Sequence, residues 1–299
     1  MNKQPQANPA WDRFWRYDRL SSFLSTPGAP NYGPPIADGW HAFFAELPDG
    51  ARILDLCTGN GAIAVMAVEA NNSFAVTGTD LAAVEPTAFV TRNRAELEQV
   101  RFLASTPAEA LPLPDASIDA VVSQYGVEYS DLARSIPEAV RVLAPGGRLR
   151  FAIHATEGAV ARDTANAITD ADFLIDLDLA GLAARSATAL DAFNAALKAI
   201  ADRAPTATDQ TMLANVHQTM CDTYDHRRDE LPATAENLHT EIVAHRERQV
   251  ALLASAQTVD GMAALTDRLE RLGMAGVTRG EQRDGDDLIG HTIEATRRQ

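Results

Sequence analysis

The residues best suited to chemistry lie in one stretch, Ile53 to Gly61, with the sequence ILDLCTGNG. Asp55 places a carboxylate near the end of an apolar run, which is unfavourable unless another group pairs with it. Gly59 and Gly61 let the backbone turn tightly and approach a ligand closely. An apolar helical pattern follows at once over 62–69. Strand, glycine loop and helix N-terminus together predict a small-molecule site at the carboxyl edge of a parallel sheet.

The charge of Asp55 indicates which ligand this loop suits. Residues 59–64, GNGAIA, formally match the G-x-G-x-x-G/A dinucleotide pattern, although a tight turn without a ligand would match it too. A dinucleotide brings its pyrophosphate to the helix N-terminus, where this carboxylate would repel it, whereas a cationic ligand would be attracted. The order Asp-x-x-x-Gly-x-Gly resembles motif I of the class I S-adenosylmethionine-dependent methyltransferases. The resemblance implies that the cofactor is bound by Asp55, Cys57, Thr58, Gly59 and Gly61.

A second carboxylate, Asp80, ends the next predicted strand, 74–81, about 20 residues beyond the glycine loop. An acid at this position can accept both hydroxyls of a ribose, which is common to S-adenosylmethionine and NAD sites. Capping of a helix that begins near Val84 is the alternative role. We expect Leu81, the neighbouring residue, to contact the cofactor as well.

Two later segments extend the resemblance to about half of the chain, 50–155 and 257–299. The segment AEALPLPDASID at 108–119 resembles a pattern frequent in ubiquinone-type and other small-molecule methyltransferases. In that family the positions of Ala108 and Glu109 line the adenine ring. The string Leu-x-Pro-Gly-Gly-x-Leu at 143–149 is a further hallmark, and it precedes a predicted fifth strand.

Acid–base candidates follow the predicted fourth and fifth strands. We expect Gln124 beside the cofactor, Tyr125 at the methyl pocket, and Glu128 near the substrate. His154 ends the fifth strand at the ligand-binding edge, and an imidazole titrates near neutrality, as a general base requires. A purely structural histidine is the alternative. A base is needed only if the nucleophile must lose a proton, and the catalytic candidates are then His154, Tyr125 and Glu128.

The N-terminal region has four aromatic residues within 11–17. Helical spacing places three of them on one face, so they form either a short helix packed on the core or a flap over the site. The flap interpretation places Tyr17 near the cofactor. Residues 1–10 are predicted to be a disordered tail, and Asn31 and Tyr32 are candidates for a lid.

The resemblance and the periodicity together predict an α/β fold. We expect a Rossmann-like, seven-stranded, mostly parallel sheet with a C-terminal antiparallel hairpin strand, plus a helical cap insertion. The predicted domains are an N-terminal helical flap, a cofactor-binding core in two segments, and the cap, at 1–47, 48–156 with 257–299, and 157–256. Predicted breaks between the cap helices lie near Gly181, Ala204-Pro205 and Leu231-Pro232. The cap is interpreted as a cover for the substrate pocket or as the surface of a homodimer.

Composition limits the partners. The 299 residues have a formal net charge of −15, which argues against nucleic acid as the main partner. Two cysteines make a disulfide framework unlikely, and we find no signal peptide, no long apolar run and no metal-ligand spacing. These features predict a cytoplasmic enzyme without metal that acts away from membranes.

The predicted function is transfer of a methyl group from S-adenosylmethionine to a small-molecule acceptor, mainly through proximity and alignment. Three alternatives stay open. They are an NAD-dependent oxidoreductase, a methyltransferase that acts on RNA or protein, and a cofactor-binding partner protein without catalysis.

Overall fold

Seven strands form one sheet in the computed structural model, which describes residues 9–22, 31–34, 36–186, 188–207 and 210–299. The spatial order is β3-β2-β1-β4-β5-β7-β6, and β7 alone runs antiparallel to its two neighbours. This arrangement confirms the predicted Rossmann-like sheet with its C-terminal hairpin. The strands are β1 Arg52–Leu56, β2 Ala75–Thr79, β3 Arg101–Leu103, β4 Ile118–Gln124, β5 Leu143–His154, β6 Met274–Asp284 and β7 Asp287–Arg297.

Twelve α-helices occur in the described part of the chain. They are α1 Pro9–Phe14, α2 Ile36–Ala45, α3 Ala62–Ala70, α4 Pro86–Phe89, α5 Arg94–Leu97, α6 Leu132–Val142, α7 Ala159–Asp176, α8 Leu179–Ala184, α9 Leu190–Arg203, α10 Gln210–His226, α11 Leu231–Ser255 and α12 Val259–Arg271. None of them is long and apolar enough to cross a membrane. Residues 1–8 of the predicted disordered tail lie outside the described residues. Its last two residues, Pro9 and Ala10, belong to α1.

The sheet is buried on both faces, as the apolar runs of its central strands require. On one face the core contains Trp40, Phe43 and Phe44 of α2, together with nearly all of α3. On the other face β4 and β5 pack against α6 and α12. The two layers hold the carboxyl ends of β1, β2, β4 and β5 along one edge of the sheet.

Two local predictions in this part of the chain were wrong. The Leu-x-Pro-Gly-Gly-x-Leu string at 143–149 does not precede the fifth strand but lies within it, because β5 already begins at Leu143. The strand bulges there, since its partners pass from Ile118↔Leu143 directly to Ala120↔Arg148. The helix expected near Val84 is only the four-residue α4, and no side chain caps its N-terminus.

The chain divides into two compact units, Met1–Val160 with Ser255–Gln299, and Ala161–Ala254. The second unit is helical and has a hydrophobic core of its own, around Phe193, Leu213 and Met220. The role of this unit as a cap stays a prediction.

The predicted helix breaks in the second unit lie close to observed ones. The break expected near Gly181 falls at 177–178, just before α8, and the Asp178 carboxylate there accepts a hydrogen bond from the Gly181 amide. The break expected near Leu231-Pro232 falls directly before α11, which begins at Leu231, because proline suits the first turn, where no amide donor is needed.

Candidate functional site

The glycine loop joins the ends of two neighbouring strands. β1 and β2 pair in parallel up to Leu56↔Thr79, and the Thr58 amide donates to the Thr79 carbonyl at 3.0 Å. At the next residue, the Gly59 amide donates to Asp80 Oδ2 at 2.8 Å. Strand pairing therefore brings both carboxylates predicted from the sequence to one loop.

Asp55 is buried at the base of this loop, with 1% of its surface exposed. The Thr58 hydroxyl donates to its Oδ2 at 2.6 Å, and none of the described residues forms a salt bridge with it. Burial raises the pKa of Asp55 to about 7, and the hydrogen bond from Thr58 only partly opposes that rise. The loop thus contains an acid whose ionised form lacks a cationic partner among the residues that the structure describes.

Asp80 is half-buried, and both of its oxygens accept backbone hydrogen bonds. One comes from Gly59, and the other comes from the Ala82 amide at 2.8 Å. Burial raises the pKa of Asp80 to about 6 despite these bonds. The carboxylate fixes the loop, not a helix terminus, and each oxygen retains acceptor capacity for a ligand hydroxyl.

The loop backbone leaves no room for side chains at its glycines. Gly59 has φ +53° and Gly61 has φ +86°, and Cys57 also lies in the left-handed region at φ +55°. A Cβ at Gly59 would overlap the ring of Trp15, which lies directly on this glycine. Burial raises the pKa of the Cys57 thiol well above its usual range, so this side chain is an unreactive part of the wall.

The segment around α1 covers the glycine loop. The Ala83 amide donates to Asp12 Oδ1 at 2.8 Å, and Asn60 Nδ2 donates to the Arg19 carbonyl at 2.8 Å. Tyr17, predicted to lie near the cofactor, has a 45% exposed side chain beside Arg19, and its carbonyl accepts from Asn60 Nδ2 at 3.4 Å, whereas the ring of Trp15 lies on Gly59. The aromatic cluster was visible in the sequence, but which of its members lies on the loop was not.

The segment predicted to line an adenine ring lies next to Asp80. The Thr106 amide donates to the Asp80 carbonyl at 2.7 Å, and Ala108 is buried two residues further on. Leu81 is half-buried in the same region. The Glu109 carboxylate, however, accepts from the Asp131 amide at 2.7 Å, so it holds the start of α6.

A buried acid–base pair lies at the ends of β4 and β5. Glu128 Oε1 is 2.8 Å from His154 Nδ1 and also accepts from the His154 amide at 3.1 Å. Both side chains are almost fully buried, and Glu128 Oε2 has no hydrogen-bond partner among the described residues. A buried carboxylate beside Nδ1 selects the imidazole tautomer that is protonated there.

The remaining predicted residues of this region support that pair. The Tyr125 ring stacks on the His154 imidazole with centroids 4.3 Å apart, and its hydroxyl donates to Gln282 Oε1. Burial raises the pKa of Tyr125 above its usual range, so the phenol stays protonated. Gln124 accepts from Trp40 Nε1 at 2.6 Å and donates to Gln282 at 3.1 Å. Sequence analysis missed Gln282, because a single polar residue in a strand carries no motif.

Comparison with known proteins places a family domain over this site. Residues 53–147 match a family model described as a methyltransferase domain. By sequence, this segment is a methyltransferase domain. The matched segment of this methyltransferase domain includes both buried aspartates, the glycine loop and Glu128, whereas His154 and Gln282 lie beyond it.

Several known proteins are similar to parts of this chain. A demethylmenaquinone methyltransferase of Thermus thermophilus is 44% identical over 138 residues, which cover 45% of this chain and 59% of the relative. A malonyl-[acyl-carrier protein] O-methyltransferase of Geobacter sulfurreducens is 39% identical over 111 residues, 37% of this chain and 41% of the relative. The solved structure of a Burkholderia thailandensis 1,6-didemethyltoxoflavin-N1-methyltransferase aligns over 89% of this chain and 78% of its own, at 13% identity and a TM-score of 0.46. The chain spans about half the length of the curated relatives it matches.

The residues present fit the cofactor of the methyltransferase family. S-adenosylmethionine carries a sulfonium and an ammonium group, and Asp55 is a buried acid without a cationic partner. Asn60 Oδ1 is a buried acceptor without a hydrogen-bond partner in the described part of the chain. Asp80 supplies the acceptor that the hydroxyls of a nucleoside require.

Proposed function

We propose that this protein transfers the methyl group of S-adenosylmethionine to a small-molecule acceptor, and that His154 accepts the proton which the acceptor loses. One observation carries the proposal. The buried acids of the glycine loop end β1 and β2, and the Glu128–His154 pair ends β4 and β5, along the same edge of one sheet. When bound, the cofactor supplies an electrophilic methyl group on a positively charged sulfur.

In this proposal, the glycine loop binds the cofactor and orients it. Asp55 attracts a cation, because hydrogen bonds compensate its buried charge only in part. Asp80 accepts hydroxyl hydrogens while its backbone bonds to Gly59 and Ala82 keep it in place. Methyl transfer depends mainly on holding the nucleophile and the methyl group in line, so rigid positioning is the main contribution of these residues.

The Glu128–His154 pair moves the proton. With Nδ1–H directed at Glu128, the lone pair of the imidazole lies on Nε2. Glu128 stabilises the imidazolium that forms once the proton has been taken. This arrangement favours an acceptor whose nucleophile is a hydroxyl or an acidic carbon over one that attacks from an amine lone pair.

The choice of acceptor probes follows from chemistry and from the relatives. The net charge of −15 favours a small molecule over nucleic acid. The names of the relatives suggest two probe classes, a reduced naphthoquinone ring that lacks a methyl group and a malonyl thioester with a free carboxylate. The ring carbon of the reduced naphthoquinone must lose a proton on methylation, which suits a site that contains an imidazole base, whereas the malonyl carboxylate is already ionised and would not need that base.

Parallel calorimetric titrations with S-adenosylmethionine, S-adenosylhomocysteine and NAD test the proposal. We expect the first two to bind and NAD to fail. Binding of NAD alone would replace the proposal with an oxidoreductase. Tight cofactor binding without turnover on any acceptor would favour a non-catalytic partner protein, and labelling of total RNA with a radioactive methyl group would favour a macromolecular acceptor.

A further inference from the structure

We propose that Gln282, on β6, is a positioning residue that orients His154 by holding the hydroxyl of Tyr125. The inference rests on the function proposed above, in which His154 is the base. It adds to the site a residue of the C-terminal hairpin, more than 130 residues beyond the end of the matched methyltransferase segment.

Strand register places His154, Gly290 and Gln282 in one row across three neighbouring strands. His154 of β5 pairs with Gly290 of β7, and Gly290 pairs in turn with Gln282 of β6. Residues that face each other across antiparallel strands direct their side chains to the same side of the sheet. The middle position has no side chain, which leaves a gap between His154 and Gln282.

The Tyr125 ring fills that gap. A Cβ at Gly290 would lie 2.7 Å from Tyr125 Cε1 and 3.0 Å from its hydroxyl oxygen. One end of this side chain stacks on the imidazole, with the two planes inclined by 28°, and the other end donates to Gln282 Oε1. Gln282 thus contacts the far end of the ring whose face packs on His154.

A hydrogen-bond network fixes the side chain of Gln282. Its Oε1 also accepts from Gln124 Nε2, and Gln124 Oε1 accepts from the indole of Trp40. Because the indole is only a donor, each amide of this network has one defined orientation. Gln282 is buried and presents its oxygen, not its nitrogen, to Tyr125.

Tyr125 needs such a restraint because its backbone is strained. It has φ +52°, a region in which a bulky residue is uncommon and persists only when its surroundings hold it. The stack on His154 and the bond to Gln282 hold the two ends of the side chain. Loss of the bond frees the phenol ring to move, and the imidazole then loses the packing on one of its faces.

Proton NMR of the histidine rings tests this inference without any acceptor. The full-length protein is labelled with ¹³C-histidine, the His154 signals are assigned with the His154→Gln variant, and spectra are recorded at one fixed pH. The tyrosine ring current shifts the imidazole protons of wild-type His154 upfield. We expect Gln282→Met and Tyr125→Phe each to move these signals toward ordinary histidine positions, and the double variant to move them no further. The matched control, Gln99→Met, exchanges an exposed glutamine and leaves them unchanged.

The outcomes separate this inference from the proposed function. Unchanged His154 signals in Tyr125→Phe would overturn it, even if Gln282→Met failed to fold. Additive shifts in the double variant would overturn it too, since the two groups would then act independently. Failure of S-adenosylmethionine to bind the wild-type protein would instead refute the proposed function and leave the NMR result standing as a fact of the fold.

Discussion

Asp55 contributes a charge that the fold alone does not need. An ionised carboxylate in the interior is destabilising unless a cation or several donors compensate it, and here only partial compensation is present. Such a residue is stable as the neutral acid and suited to a cationic ligand as the anion. Ionisation of Asp55 therefore lowers the stability of the folded protein but favours the binding of a cation.

The first prediction concerns stability. Burial raises the pKa of Asp55 from 3.8 in the unfolded chain to about 7 in the folded protein, so the folded state holds this proton more tightly. The resulting stabilisation is fully present below pH 3.8 and is lost as the pH rises to 7. We expect Asp55→Asn to raise the free energy of unfolding at pH 8 by up to about 4 kcal/mol, at about 1.4 kcal/mol per pKa unit.

Urea unfolding at a series of pH values measures this effect. Wild type should lose stability between pH 4 and 7, and the variant should lose less. A residual slope up to about pH 6 is expected from Asp80, whose pKa is raised in the same direction. Equal slopes in the two proteins would contradict the assignment.

The second prediction concerns binding at Asp80. Replacement of Asp80 by alanine should weaken S-adenosylmethionine binding by about 1–3 kcal/mol, because ligand hydroxyls lose their acceptor. Calorimetry on the folded variant measures the change. Asp115→Ala is the matched control, since its carboxylate is an exposed partner of Arg141. Unchanged affinity in Asp80→Ala would refute the ribose assignment.

At the scale of elements, α1 is held by its contacts and not by its own propensity. Six residues are too few for a stable isolated helix. Its position depends on Trp15 against Gly59, on Asp12 at the Ala83 amide, and on Trp11 packed edge-on against Tyr129 with ring centroids 5.3 Å apart. A ligand that approaches the backbone of Gly59 must therefore contact or displace the ring of Trp15.

The third prediction concerns the fluorescence of Trp15 when the cofactor binds. We expect S-adenosylmethionine to change the tryptophan fluorescence of wild type and to have little effect on Trp15→Phe, because the indole on the loop changes its surroundings. Trp40→Phe, which alters a buried indole in α2, should retain the signal. An equal response of wild type and Trp15→Phe would show that binding does not involve the Gly59 face.

At the scale of the whole molecule, the chain leaves and re-enters the first unit at adjacent points. Ala155 forms an isolated parallel bridge with Gln257, and the Gln257 amide donates to the His154 carbonyl at 2.8 Å. The inserted unit begins just beyond this bridge and has its own core. Closely spaced ends and a separate core are the features that make an insertion removable.

The fourth prediction follows from this connection. Replacement of Ala161–Ala254 by a short Gly/Ser linker should leave S-adenosylmethionine affinity within about threefold of wild type, since the residues proposed to bind the cofactor all belong to the first unit. Circular dichroism checks that the shortened protein folds, and calorimetry measures its affinity. Loss of binding in a folded protein would mean that the second unit contributes to the cofactor site.

Local sequence determined the elements and the chemistry of the loop. A short apolar run, an acid and two glycines impose their requirements on the backbone within a few residues, so Asp55, Gly59 and Gly61 were predictable together. The order of strands followed from the family resemblance. The bulge at the start of β5 was not predictable, because Pro-Gly-Gly suits a closing turn and a strand irregularity equally well.

Tertiary structure alone decided which distant residues meet. Glu128 and His154 are 26 positions apart, and Tyr125 and Gln282 are 157 apart. The ring of Trp15 lies against Gly59, whereas the aromatic residue predicted near the cofactor was Tyr17. The sequence determined the chemical type of each of these groups and the element that carries it. Strand register and helix packing decided their neighbours, because these depend on the summed burial of the whole core and not on any short pattern.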